Sequence, residues 1–380
     1  MWIGHRVARM ESYGPWLTRH DRESHLAERQ KRFHRLQHQL ASLSDSEVLD
    51  LVGQGAVLGS GIGGTRSLVT MNGDQVFIKK VPLTDLEMLS DNFGSTANLF
   101  DLPLGCQYGV ASPSFGVWRE VAANTMATTW VTSGSARSFP VMFHSRMIPV
   151  PAFDGPLPDE LGDIDALVAH WHDSQAVRHR ANAIAESAAS VAMFFEYIPK
   201  LLGESLTEQS DAGQLTESMI ELAVRDLLGA ATFMNSEGLW HFDTHFANIL
   251  ANDNGVYLTD FGLASSPHFD LSPDEAQFLH SNRTHDHAYL ATRLVNWIVT
   301  HVGGFAEWER RNDAIRDIAN GAPANRLIPG PGSTIVAQFA PVALHINEFY
   351  WQLHGQDRRT AYPTAAVEKL LDAATHRPAR

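Results

Sequence analysis

The chain has 380 residues, 44% of them hydrophobic and 19% charged, which suits one two-lobed unit or two ordinary domains around a large core and excludes a disordered or fibrous protein. Acidic residues outnumber basic ones, 43 to 29, for a net charge of −14, so electrostatic capture of a nucleic-acid backbone or an anionic membrane is not expected. One cysteine, Cys106, cannot form an internal disulfide, and no apolar run before Gly14 is long enough for a secretory signal. The expected compartment is the cytoplasm.

The first fifty residues have helical spacing, with Leu26, Phe33, Leu36 and Leu40 set among Arg, His and Gln, and are expected to form an N-terminal extension. Ser44 followed by Glu47 has the spacing of a capping box and predicts a short helix before the first strand. From Ala56 to Pro82 strand-like runs alternate with Gly59–Gly64 and with Asn72-Gly73, a hairpin signal, which predicts a small antiparallel sheet. Residues 84 to 116 are rich in Gly, Pro and Ser and predict loops, with a helix beginning near Phe115. Strands are expected at Pro140–Pro149 and from Ser190, with a helical insertion between them. An amphipathic helix runs from Leu215 to Asn235 and stops at Gly238. Two short strands then flank an Asn254-Gly255 turn, and the remainder after Asp286 is helical. The most apolar helix, Ala288–Val302, is broken by Arg293, Asn296 and His301 and reads as a core helix, too polar for a bilayer span.

Two stretches carry chemistry. In Gly59-Ser60-Gly61-Ile62-Gly63-Gly64 the residues Gly59, Gly61 and Gly64 let backbone amides approach phosphate oxygens. No helix follows, as a dinucleotide-binding turn would require; a strand ending in Lys79 follows instead, which fits a phosphate clamp. In Trp240–Ala264, Asp243 and Asn248 lie five apart on a loop, and Asp260 opens an Asp-Phe-Gly triplet twelve residues later. Phosphoryl transfer needs a carboxylate to orient the acceptor hydroxyl and hard oxygens to hold Mg²⁺, and this ordered set supplies both. His241 and His245, with His280, His285 and His287, raise a zinc reading, but the first pair sits on a loop and has no cysteine partners. His241 is better suited to hydrogen-bonding the loop.

These motifs resemble those of the protein-kinase-like superfamily, which includes Ser/Thr protein kinases and the small-molecule phosphotransferases acting on aminoglycosides and choline. The resemblance covers about residues 53 to 300. It implies an α+β, two-lobed fold with an antiparallel sheet and a helix in the N-lobe and a mostly helical C-lobe. The divisions are residues 1–50 as extension, 51–198 as N-lobe with insertions and 199–380 as C-lobe. It further implies ATP and Mg²⁺ as cofactors. By resemblance Gly59, Gly61 and Gly64 cover the nucleotide, and Lys79 contacts its α- and β-phosphates. Glu120 pairs with Lys79, with Glu87 as competitor. Phe195 is the gatekeeper, the Glu196 carbonyl and Ile198 amide bond adenine, and Pro199 marks the lobe boundary. Asp243 is the catalytic carboxylate, Asn248 and Asp260 are the metal ligands, and Asp286 holds the catalytic loop from below.

Three features depart from the protein-kinase pattern. Phe242 stands where loop-regulated protein kinases carry Arg, His245 replaces a common Lys, and no Ala-Pro-Glu follows Gly262. The last two point to a small-molecule acceptor. The glycine loop, the lysine strand, the hinge at Phe195–Ile198 and Asp-Phe-Gly weigh narrowly toward a protein Ser/Thr hydroxyl. A catalytically silent nucleotide-binding scaffold is the third reading, disfavoured because the clamp lysine and both metal ligands are all retained.

Overall fold

A computed structural model describes residues 19–153 and 155–375; the part of the expected extension and signal-free start before residue 19 lies outside the described residues. A helix spans Arg19–Ser42 and a second Asp45–Gly53. The second begins as expected: the Ser44 side chain accepts from the Glu47 amide while the Glu47 carboxylate accepts from the Ser44 amide.

Five antiparallel strands follow, β1 (Ala56–Gly61), β2 (Gly64–Met71), β3 (Asp74–Leu83), β4 (Met142–Ile148) and β5 (Ala189–Glu196), ordered β1-β2-β3-β5-β4. Asn72 and Gly73 turn β2 into β3 with Met71 opposite Asp74, and Asn72 takes the left-handed φ of 51° that such a turn requires. Every residue of β5 is buried, because sheet neighbours flank it on both edges and helices or loops cover both faces. Behind the sheet lies the helix Val117–Thr132, which starts two residues later than Phe115 because Gly116, at φ 144°, forms its N-cap.

Tyr197, Ile198 and Pro199 lie outside strands and helices and lead to a second sheet of β6 (Lys200–Leu201), β7 (Ile249–Asn252) and β8 (Gly255–Leu258). Asn252 pairs with Gly255, so the turn residues are Asp253 and Asn254; the expected Asn254-Gly255 turn is displaced by one because Gly255 already belongs to β8. Glu217–Ser236 packs on β8, His285–His301 packs on that helix, and Ser333–Gly355 packs on His285–His301. Gly238, at φ 83°, follows the first of them. The fold is therefore mixed α and β in two lobes of the protein-kinase-like kind, with the sheet in the N-terminal part and helices dominating the rest. No helix among the described residues is long and apolar enough to cross a membrane.

The two insertions between sheet strands do not dangle. Residues 84–116 and the excursion 149–188, with helices Asp159–Gly162, Ile164–His170 and Gln175–Ala185, share a core of their own that includes Phe100, Cys106, Phe115, Val168, Trp171 and Ile184. Leu263, just beyond the Asp-Phe-Gly triplet, belongs to that same core. Thus a stretch expected to be loop-rich is packed, with the second insertion, against the segment after Asp-Phe-Gly.

Candidate active site

β3 delivers Lys79 because alternate strand residues face opposite sides. Its ammonium reaches Glu120 Oε1 at 2.6 Å and Asp260 Oδ1 at 2.8 Å, while Lys80 turns the other way toward the Pro151 carbonyl at 3.4 Å. Lys79 and Glu120 are 6% and 2% exposed, so the pair operates where water screens little. Desolvation opposes the lysine's charge, but Asp260 and Glu120 together hold its proton more tightly than usual. Burial, with Asp260 adding repulsion, pushes the Glu120 carboxyl up to about 7 against the pull of Lys79. Asp260 behaves oppositely: desolvation works against it, yet Lys79 and the Gly262 amide hold it at about 2.

Glu87, the competing partner for Lys79, is occupied elsewhere. It accepts from the Thr84 amide and hydroxyl, from the Val117 amide at 2.9 Å and from Arg180 at 3.0 Å. It thereby fixes the start of the helix that carries Glu120. Arg119, next to Glu120, reaches across to Glu275 at 2.6 Å and to the Thr96 carbonyl.

The loop 241–248 is built from below. Asp286, fully buried, accepts from the amides of His241 at 2.9 Å and Phe242 at 2.8 Å and from the Asn235 side chain at 2.8 Å. Burial works against its charge, but His285, His241 and these donors keep its carboxyl at about 2. Phe242 is fully buried, takes a left-handed φ of 63° and stacks on His285 with ring centroids 5.1 Å apart. His241 bonds the Thr259 carbonyl at 2.9 Å through Nε2 and receives the Asp243 amide at Nδ1. That joins the loop to β8 and its exit, as the hydrogen-bonding reading of His241 expects. His285 and His287 turn instead to Tyr350 and Thr232, and among the described residues no three His, Cys, Asp or Glu gather as metal ligands.

Asn248 donates through Nδ2 to the Asp243 carbonyl at 2.9 Å and to Asp243 Oδ2 at 3.2 Å, which leaves its own Oδ1 available. His245 Nε2 lies 3.5 Å from Asp243 Oδ1. The Asn248 carbonyl accepts from the Thr259 amide, directly before Asp260, so the two acidic segments are tied together. Asp260 sits at φ 65°, a strained backbone of the sort found at functional sites. Its two bonds, from Lys79 and from the Gly262 amide at 3.4 Å, fall on Oδ1, and its side chain is 41% exposed, so Oδ2 remains for a cation. Two hard oxygens on adjoining segments fit Mg²⁺, which completes its shell with phosphate and water. A Cβ at Gly262 would stand 3.3 Å from Asp260 Oδ1, a tight approach, and 3.4 Å from Glu120 Oε2, an ordinary contact.

The glycine loop divides its labour. A Cβ on Gly64 would collide with the Lys80 carbonyl, so Gly64 serves the close approach of β2 to β3. Gly59, at φ 152°, lies at the irregularity where Leu58 bulges from β1. Gly61 has open space around it, and the residue nearest Lys79 is Gly63, whose Cβ would lie 3.6 Å from the ammonium. Gly63 stands beside the expected trio in the same run of glycines, in the turn between β1 and β2, and only its place over Lys79 in the fold marks it out. At the other edge of the cleft the Glu196 side chain accepts from Arg29, bidentately, and from Arg32 at 2.7 Å. Burial opposes its ionisation, but these guanidiniums hold the carboxyl below its usual range. Phe195 and Ile198 are buried beside it. Arg29 was not legible as a site neighbour, since 167 residues separate it from Glu196.

The fold is of the protein-kinase-like kind, and part of the chain is similar in sequence to protein kinases. Over 106 residues, 28% of the chain, it is 29% identical to mitogen-activated protein kinase kinase kinase 3 of Arabidopsis thaliana, of which the match covers 18%. Over 110 residues it is 32% identical to mitogen-activated protein kinase kinase kinase 1 of the same plant, of which it covers 17%. The chain thus spans less than a fifth of the curated relatives it matches. No protein-family model matches it.

Proposed function

We propose that the chain is an ATP- and Mg²⁺-dependent phosphotransferase that moves the γ-phosphoryl group of ATP to a hydroxyl. The observation that carries this reading is Lys79 held between Glu120 and Asp260, a lysine whose charge and direction are set before any nucleotide arrives. In this reading Lys79 binds the α- and β-phosphates under the turn at Gly63, with Gly59 and Gly61 alongside, and the backbone at Glu196 and Ile198 receives adenine. Asp260 and Asn248 hold Mg²⁺, which when bound neutralises charge on the transferring phosphate. Asp243 aligns the acceptor hydroxyl and takes its proton, and Asn248 fixes the rotamer of that carboxylate. The acceptor favoured by the sequence is a protein Ser/Thr side chain, and both plant relatives are named as protein kinases. A small-molecule acceptor is supported by His245 beside Asp243 and by the missing Ala-Pro-Glu.

An ATP-consumption assay on the full chain, with a panel of hydroxylated metabolites and beside an autophosphorylation measurement, tests the proposal. Asp243→Ala is expected to lower turnover by about a thousandfold or more, equivalent to roughly 4 kcal/mol of barrier, while MgATP affinity stays within about twofold. Label on the protein selects the protein acceptor, and turnover only with a metabolite selects the small one. Nucleotide binding with no transfer selects the silent scaffold, and full turnover by Asp243→Ala discards the assignment.

A further inference from the structure

The segment 104–116 crosses from the helix side of the N-lobe to the C-lobe and touches both acidic segments of the site. Tyr108 is buried among Phe242, Phe278, His285 and Phe349 and donates to Asn282 Oδ1 at 2.7 Å. Next to it Gly109 forms a γ-turn at φ 92°, ψ −65°, closed by the Val110 amide on the Tyr108 carbonyl. A Cβ on Gly109 would stand 2.9 Å from Asp243 Oδ1, so the backbone itself walls the catalytic carboxylate. Gln107 donates to the Leu263 carbonyl and Ser114 to the Gly262 carbonyl at 3.0 Å. The amide of that same Gly262 bonds Asp260 Oδ1, so one peptide residue links Ser114 to the expected metal ligand.

This path is strained and heavily tied down. Ala111 and Ser114 have φ of 53° and 63°, a region costly for residues with a Cβ. Trp171 donates to the Ala111 carbonyl at 2.6 Å, and Arg180, held by Glu87, donates to the carbonyls of Pro113 and Ser114. Backbone strain persists where the surroundings over-determine it, and here those surroundings are the chain's own insertions.

We infer that residues 104–116 are a positioning strap, with Gln107 and Ser114 setting Asp260 for its cation through Gly262 and Leu263, so that the segment after Asp260 needs no covalent modification to be held. The inference rests on the phosphotransferase reading of the cleft. It places the control of that segment in an insertion between β3 and the Glu120 helix.

Titration of the full chain with ATP, once in excess Mg²⁺ and once in EDTA, tests it. Ser114→Gly is the informative variant, because it removes the hydroxyl while relieving the left-handed φ. It is expected to weaken MgATP binding about fivefold, the equivalent of one neutral hydrogen bond, with EDTA-ATP affinity unchanged and Tm unchanged or higher. A purely structural role for Ser114 would leave the Mg²⁺-dependent gain intact. Gln107→Ala is expected to act in the same direction, and if it fails to fold Ser114→Gly decides alone. Retention by Ser114→Gly of the wild-type Mg²⁺-dependent gain within twofold overturns the strap. A wild-type chain that gains no affinity from Mg²⁺ overturns the phosphotransferase reading itself, and the strap's role with it.

Discussion

Two buried carboxylates organise two irregular segments beside the same cleft. Asp286 supports the loop 241–248 and Glu87 supports the start of the Glu120 helix and, through Arg180, the strap. Both are nearly inaccessible, at 0% and 1%, but they are neutralised differently. Both accept two backbone amides, but Asp286 adds an Asn side chain, with His285 Nδ1 at 3.7 Å, whereas Glu87 adds the Thr84 hydroxyl and a full guanidinium partner in Arg180, itself 2% exposed. Both segments aim two amides at one charge, and in the short loop these with one Asn side chain suffice. A strap that crosses between lobes needs a cation whose own spare donors continue the network.

The largest stability effect should therefore follow from Glu87→Ala, which leaves Arg180 buried and unpaired. A loss of about 3–5 kcal/mol is expected, read from urea denaturation. A loss below about 1 kcal/mol would mean that the ion pair does not organise this side. Asp286→Asn keeps the shape and one acceptor oxygen but orphans an amide, and should cost about 1–3 kcal/mol together with a fall in kcat. If stability drops and kcat does not, the loop's geometry is independent of its anchor. The smallest effect concerns pH. Because burial raises the Glu120 carboxyl to about 7 above its ordinary 4.5, the folded chain takes up this proton more readily than the unfolded one. Its ionisation above pH 7 thus costs folding stability, and that cost is relieved as pH falls. Function runs the opposite way: lowering the pH from 8 to 6 neutralises Glu120, breaks its pair with Lys79 and should weaken MgATP binding by up to about tenfold, one pKa unit's worth. Glu120→Gln should flatten that profile, and an unchanged slope in this variant would assign the titration elsewhere.

Legibility in the sequence followed distance along the chain. The Ser44–Glu47 box, the Asn72-Gly73 turn, the end of the helix at Gly238 and the order Asp243, Asn248, Asp260 all depend on neighbours within a few residues or on a motif whose spacing is itself the signal. Asp286 was visible only through the family resemblance of the stretch that carries it. Glu120 was named over Glu87 from the resemblance alone, since both lie in the first turn of a helix after β3 and only the path of 84–116 decides which one meets Lys79.

The chain's own order of residues determined the alternation that aims Lys79 into the cleft, the caps, the hairpins and the chemical kinds gathered around a phosphate. Those are local properties of backbone sterics and hydrogen-bonding capacity. Tertiary structure alone decided that Gly63 is the glycine nearest Lys79, that Arg29 reaches Glu196 across 167 positions, and that Gly109 abuts Asp243. Such contacts arise when separate segments share one buried volume, and the packing that fills it is a property of the whole chain.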